Sequence, residues 1–442
     1  MDTVMAESVE LLQTLIRNAC VNKGIPESGF ETKNADVLEA YLGGVAAVER
    51  YEKIAGRASL VARIEGSDPS APGLVLMGHT DVVPANENGW SKAAPFSGEL
   101  IGDEVWGRGA VDMLNVTATM AVAFKRLAQR GFTPRGDLIY FAVADEEAAG
   151  IQGAKYVTEE HRDAVQADFV VTEFGGMRLP IGDGVRMPVM VGEKGTFWCT
   201  VTTRGTPGHA SMPFASDNAL VKGAEIVRRL AAYQPETQIH DIWRRFVEDM
   251  AFPPEMAAAF LDPIALEQTI AALPVELGRV VHACTHMTVA PTVMHAGVKG
   301  NVIPDSLELK VDIRTLPGMV SEDVRRTLED LIGDLGTVEE ILDSDMPSTA
   351  SKMDTPLWDS LQRVTASLVP EARTVPFLMT AATDARYFRE IGATAYGYGL
   401  FSDRIPYNEF GRMFHGDDER VDLESLRLAE ALWERLAEDL LG

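Results

Sequence analysis

Acidic and imidazole side chains stand at several points of this 442-residue chain where they could do chemistry together. Three apolar runs that read as buried strands each end in such groups. Gly73 to Met77 leads into Gly78-His79-Thr80-Asp81, Leu138 to Ala144 into Asp145-Glu146-Glu147, and Phe169 to Val171 into Thr172-Glu173. Open α/β sheets place their sites at the carboxyl ends of their strands, so these side chains are expected to converge in one crevice. Asp112 stands just ahead of a helical pattern, in Gly107-Arg108-Gly109-Ala110-Val111-Asp112-Met113, and His415 in the turn Phe414-His415-Gly416-Asp417. Imidazole mixed with carboxylate suits a borderline-soft divalent cation such as zinc. Taken singly, each of these residues is an ordinary surface carboxylate or structural histidine.

The elements that must hold them follow from periodicity. Val116 to Arg130 carries Met120, Phe124 and Leu127 at helical spacing and closes on Gly131, so strands alternate with helices around a mainly parallel sheet. A second pattern starts near Glu193. Thr196 to Thr203 alternates as a strand, and Asp217 to Ala232 reads as a helix with Asp217 as N-cap. Leu307 to Ile313 is a further strand, Ser321 to Ile332 a helix and Val338 to Leu342 a closing strand. This order predicts a small two-layer α+β domain, interrupted by a Pro-rich helical segment from Gln234 to about Arg279. From Thr355 a helix, a strand at Thr394 to Gly399 and a last amphipathic helix resume the first pattern. The expected fold is therefore α/β: a domain of residues 1–191 and 350–442, split by an inserted domain of residues 192–349.

Composition bounds the function. Hydrophobic residues at 46% and charged residues at 24% describe a globular chain with a sizeable core. A net charge of −26 argues against nucleic acid or an anionic membrane surface as partner. Cys20, Cys199 and Cys284 are too few and too scattered for a disulfide framework, which points to a reducing compartment. Asp2, Glu7 and Glu10 make the start an acidic amphipathic helix rather than a signal peptide. No run approaches the about 18 apolar residues of a membrane span. The expected location is the cytoplasm.

The chain resembles the large M20-type metallopeptidase and amidohydrolase family of glutamate carboxypeptidase, succinyl-diaminopimelate desuccinylase, aminoacylase and carboxypeptidase S. The stretches that carry the resemblance are Gly78-His79-Thr80-Asp81-Val82-Val83-Pro84, Trp106-Gly107-Arg108-Gly109 on to Asp112-Met113, Asp145-Glu146-Glu147, Thr172-Glu173-Phe174-Gly175-Gly176, Gly205-Thr206-Pro207-Gly208-His209-Ala210-Ser211 and Phe414-His415-Gly416. The resemblance implies a zinc-exopeptidase-like catalytic domain and an inserted dimerisation or lid domain. It implies two zinc ions, with cobalt or manganese as substitutes. Asp112 would bridge them, with His79 and Glu173 on one ion and Glu147 and His415 on the other. A bridging carboxylate of this kind holds two ions roughly 3.5–4 Å apart. Asp81 would orient the His79 ring by accepting its other N–H.

Glu146 would be the general base, since adjacent carboxylates at a strand end point apart and one can bind metal while the other reaches water. His209 would donate to the oxyanion in the partner subunit of a homodimer. Asn301, in Gly300-Asn301-Val302, and Arg314, in Asp312-Ile313-Arg314, match positions near the substrate. Arg314 fits a substrate carboxylate or an ion pair with Asp312. A cis peptide is implied between Asp112 and Met113. His161, His240, His282, His286 and His295 match nothing and read as surface or packing residues.

Two departures stand out. Leu114-Asn115 replaces the usual Lys-Gly, and Thr380-Ala381-Ala382-Thr383-Asp384 replaces a glycine pair that receives the substrate carboxylate. The expected activity is hydrolysis of a small peptide or an N-acyl amino acid. The alternatives are hydrolysis of a non-peptide amide or C–N bond, and a catalytically silent binding protein of the same fold.

Overall fold

A computed structural model describes residues 3–181, 184–341 and 345–442, and the side chains of all of these except 3–5. Asp2 and Leu342, named above, lie outside them. The chain divides into two compact units, residues 1–191, 351–377 and 383–442 in the first and 192–350 with 378–382 in the second.

The first unit is built on a mixed sheet whose strands run in the order Val48–Glu52, Ala58–Ile64, Leu138–Val143, Leu74–His79, Phe169–Thr172, Thr394–Gly397, Gly184–Glu193. The central four are mutually parallel, and the outer pairings are antiparallel. Leu74–His79 and Leu138–Val143 are buried along their whole length. Burial on both faces is why they read as unbroken apolar runs. On one face Val75, Met77, Ile139 and Phe141 pack with Val157 and Phe388 from the helices Ala154–Glu160 and Ala385–Glu390. On the other, Tyr140 meets Phe124 of the helix Leu114–Gln129 and donates its hydroxyl to the Thr117 carbonyl. The core thus fixes the strand ends, and with them the groups that follow.

The second unit is a four-stranded antiparallel sheet in the order Thr288–Ala296, Ser306–Thr315, Gly195–Arg204, Thr337–Glu340. Ile226, Leu230, Val324 and Leu328, from the helices Ala219–Ala232 and Ser321–Ile332, cover one face of it. The helix starts at Ala219, and its cap is Asn218, not Asp217. The Asn218 side chain accepts from the Leu220 N–H, while Asp217 pairs with Lys222.

The Pro-rich segment forms the helices Asp241–Asp249, Pro254–Leu261, Pro263–Ala272 and Val275–Thr285. Trp243 packs between Phe246 and Phe260 as its apolar nucleus. Lys194 is fully buried and donates Nζ to the carbonyls of Ala283 (2.9 Å) and His286 (2.7 Å). A cation at the C-terminus of the last of these helices satisfies carbonyls that have no intrahelical partner. Burial pulls its pKa down to about 7. His240 and His286 are likewise engaged locally, with the Trp243 N–H and the Glu267 carboxylate. Among the described residues no helix is long and apolar enough to cross a membrane.

Candidate metal centre

His79 closes the strand Leu74–His79, and Glu146 and Glu147 open the short turn Glu146–Ala148 just past Leu138–Val143. Glu173 follows Phe169–Thr172 directly. The convergence expected at the carboxyl ends of parallel strands is what the sheet produces. Asp112 joins them from the turn before Leu114–Gln129 and His415 from the turn after the helix Tyr407–Met413. The Asp112–Met113 peptide is cis.

Two groups form, His79–Asp112–Glu173 and Asp112–Glu147–His415, each with its ligand atoms within 4.8 Å of one another. His79 Nε2 lies 3.3 Å from Asp112 Oδ1 and 3.4 Å from Glu173 Oε2. His415 Nε2 lies 3.2 Å from both Asp112 Oδ2 and Glu147 Oε2. Asp112 therefore turns one oxygen to each histidine.

These residues fit a pair of cations. Charge-assisted hydrogen bonds are shorter, at about 2.7–2.9 Å. A separation of ~3.3 Å is instead the edge of a tetrahedron about an ion with bonds of roughly 2.0–2.1 Å. Both oxygens of Glu173 and Oε1 of Glu147 are buried without a hydrogen-bond partner, which is costly unless a cation takes them. His79 Nδ1 lies 2.9 Å from the Asp81 carbonyl, which can only accept. Its proton is thereby fixed on Nδ1 and the Nε2 lone pair faces the carboxylates.

That contact corrects the sequence reading of Asp81. The backbone carbonyl, not the carboxylate, orients His79; the carboxylate lies 3.6 Å from Nδ1. Its oxygens instead accept the N–H groups of Glu146 (3.3 Å) and Glu147 (3.1 Å) and the Asn22 amide (2.8 Å). Asp81 acts on the two glutamates.

Glu146 Oε2 lies 4.0 Å from His79 Nε2, beside the first group. Burial above all, then the Glu173 charge, holds its carboxyl well above the usual range. Glu147 is pushed up to about 7 by burial and by Asp112. His415 rises to about 10 through its contacts with Asp112 and Glu147, and the same imidazoles depress Asp112 against its burial.

Sequence reasoning missed two carboxylates. Glu419 is fully buried and accepts from Arg108 Nη1 (2.7 Å) and from the N–H groups of Gly109 (3.0 Å), Val111 (2.7 Å) and Asp112 (3.0 Å). It holds the turn that presents Asp112. In sequence it is one acid in Asp417-Asp418-Glu419, with nothing to mark it. Asp384 is buried with Oδ2 unpartnered, and burial with the Asp81 and Glu173 charges raises its pKa well above the ordinary value. The departure noted at Thr383-Asp384 was the available signal. At the other departure, Leu114 is buried against Gly109 and opens the helix.

His209, Asn301 and Arg314 all belong to the second unit. Gly208–His209 pairs with Val302–Ile303, and the Asn301 carbonyl accepts the Ala210 N–H, so His209 and Asn301 lie on two exposed segments held side by side. His209 Nδ1 accepts the Ser211 N–H (3.2 Å). A backbone N–H only donates, so the ring proton sits on Nε2. Arg314 forks onto Asp312, with Nε 2.8 Å and Nη2 3.2 Å from its oxygens.

Residues 75–439 match the profile of Peptidase family M20/M25/M40. The chain is similar to the N-fatty-acyl-amino acid synthase/hydrolase PM20D1 of Xenopus tropicalis, 28% identical over 85% of this chain and 74% of that protein. It is similar to aminoacylase-1 of Homo sapiens, 27% identical over 84% of this chain and 81% of that one. The crystal structure of an M20 family metallo-carboxypeptidase, Sso-CP2 of Sulfolobus solfataricus, superposes with a TM-score of 0.74 at 17% identity, covering 100% of this chain and 99% of that one. With a family match spanning most of its length and the family's fold, the chain belongs to the M20/M25/M40 peptidases and is a metallohydrolase.

Proposed function

We propose that this enzyme hydrolyses the amide bond of N-acyl amino acids at a two-zinc centre built on Asp112. The observation that carries the reading is the pair of histidine–carboxylate groups sharing Asp112, with Glu146 alongside. Similarity to an N-fatty-acyl-amino acid synthase/hydrolase and to an aminoacylase supports the substrate class. His79, Asp112 and Glu173 would hold one ion and Asp112, Glu147 and His415 the other, supplying Lewis acidity and a lowered water pKa. Cobalt or manganese would substitute. Glu146 takes the proton of the attacking water and delivers it to the leaving nitrogen. Asp81 holds Glu146 and Glu147 by their N–H groups. The Arg314 fork on Asp312 favours the ion-pair reading over substrate binding. Buried, unpaired Cys20, Cys199 and Cys284 support a reducing, cytoplasmic setting.

The test is a panel. Metal-depleted enzyme reloaded with zinc, cobalt or manganese is assayed on N-acyl amino acids of short and long acyl chain, their carboxamides, dipeptides and non-peptide amides. N-acyl amino acids are expected to give the highest kcat/KM. Faster turnover of a non-peptide amide, or none at all with two ions bound, would sink the reading.

The second unit serves, in this reading, as a homodimer interface. The exposed place of His209 on a paired segment of this unit is what suits it to reach a neighbouring copy. His209, with its proton on Nε2, donates to the oxyanion in the partner's site. His209→Ala is expected to lower kcat by about 10²–10³ with metal content unchanged. Mixing it with Glu146→Gln subunits is expected to restore activity, because each heterodimer regains one complete site. Heterodimers that form and stay inactive, or a fully active monomer, would exclude this role.

A further inference from the structure

Behind the glutamate turn lies a buried ionic cluster whose members come from distant parts of the first unit. Arg57 and Glu31 are 2% and 0% exposed. The guanidinium binds Glu31 with two nitrogens, Nε to Oε2 at 2.7 Å and Nη2 to Oε1 at 2.8 Å, and the same Nη2 reaches Asp145 Oδ1 at 2.5 Å. Gly29 permits the packing, since a Cβ there would fall 2.7 Å from both Glu31 oxygens and 2.8 Å from Arg57 Nε.

Every polar group of Asp145 is held. Its N–H donates to Glu31 Oε1 (3.2 Å), Oδ1 also accepts from Asn22 (3.2 Å) and Oδ2 accepts the Gln152 N–H (2.8 Å). Its carbonyl accepts the N–H groups of Ala148 and Gly150. Asp145 has φ of +71°, a left-handed conformation unfavourable for a residue with a Cβ unless its surroundings impose it. That residue sets the direction in which the next two, Glu146 and Glu147, leave the strand. The Asn22 amide spans from Asp145 to Asp81, whose carboxylate takes the N–H groups of both glutamates. Arg57 supplies the positive charge of this cluster, where Glu31, Asp81 and Asp145 are all buried acids.

We infer that Arg57 is a positioning residue for the hydrolytic reaction: by clamping Glu31 and Asp145 it fixes the left-handed turn that aims Glu146 at the water and Glu147 at the second metal group. The inference rests on the roles given above to Glu146 and Glu147. Gripping Glu31 through two nitrogens while one of them also reaches Asp145 needs the planar fork of arginine, which a lysine ammonium does not reproduce.

The test uses the full chain, with Arg57→Lys and, in case that protein fails to fold, the uncharged double variant Arg57→Gln/Glu31→Gln. Each is loaded with cobalt, titrated by its visible spectrum and assayed on the best N-acyl amino acid of the panel. Losing support for a metal-site residue typically costs about 10–100-fold in affinity or activity. The expected result is a loss of that size in kcat with KM within about twofold. One of the two cobalt equivalents is expected to weaken while the other is retained. In a Glu146→Gln background the further kcat loss from Arg57→Lys is expected to shrink towards none, because both changes disable the same proton transfer. A lowered melting temperature with wild-type kcat per metal pair and wild-type cobalt titration would overturn the inference, leaving Arg57 a packing residue. If the loaded wild type hydrolyses no member of the panel, the proposed function fails, and the cobalt titration alone decides the role of Arg57.

Discussion

Glu146→Gln is expected to bind two metal ions and to lose about 10²–10⁴ in kcat, the contribution of a positioned acid–base group. The substitution keeps size and shape and removes the basic oxygen, so metal content and fold should be unaltered. Glu146 stands outside both ligand groups, with its Oε2 4.0 Å from His79 Nε2, close enough to serve water held at the first group. Glu147→Ala separates the two roles. It removes a member of the Asp112–Glu147–His415 group, so occupancy should fall before anything else does. Elemental analysis beside steady-state kinetics reads both. A metal-replete Glu146→Gln protein with near-normal turnover would remove Glu146 from the mechanism.

Chelation is expected to abolish activity and to give the apoprotein a stability that declines as pH rises. The sign follows from proton linkage. Without cations, Glu147 is raised from 4.5 to about 7 and His415 from 6.5 to about 10. A group with a raised folded pKa binds protons more tightly in the native chain. Its stabilisation is fully present below the unfolded value and is lost as pH climbs through the folded one. Glu147 therefore pushes stability down between its ordinary 4.5 and about 7, and His415 takes over between 6.5 and about 10. Asp112 is depressed and works the other way, but only at acidic pH, below its ordinary value of 3.8. Bound cations replace the protons, so the gap in melting temperature between loaded and apo enzyme should widen from pH 5 to pH 9. A gap that narrows over that range would contradict the site's electrostatics.

Three of the candidate ligands, His79, Glu147 and Glu173, were legible because each stands at the end of a strand whose burial pattern is strong, whereas Asp112 and His415 stand in turns and were found through the resemblance. Leu74–His79 and Leu138–Val143 announce themselves by unbroken apolar composition, and the groups after them inherit that certainty. The edge strand Val48–Glu52 carried no comparable signal, since it is half-exposed and largely charged. Asp217 and Asn218 are both good caps and stand side by side, so spacing could not choose between them. With Asp81 the residue was identified and the atom was not, because sequence spacing alone cannot choose between the carbonyl and the carboxylate of a residue two positions from the ring. Arg57, Glu31 and Glu419 were invisible for a different reason. Each acts on a segment remote in sequence, through a contact that only the folded chain creates.

The bond pattern of Glu419 bears on how the enzyme is made. The turn that presents Asp112 is held by a side chain more than three hundred positions further on, and His415 comes from the same late stretch. A growing polypeptide therefore has His79, Asp112, Glu146, Glu147 and Glu173 in hand long before either can arrive. Until then the early acids crowd one another with no second imidazole among them. Domains otherwise tend to consolidate from the N-terminus during synthesis. Here the second group, Asp112–Glu147–His415, cannot be assembled on a chain that stops short of residue 415, and the turn that presents Asp112 lacks its brace until residue 419 has been made.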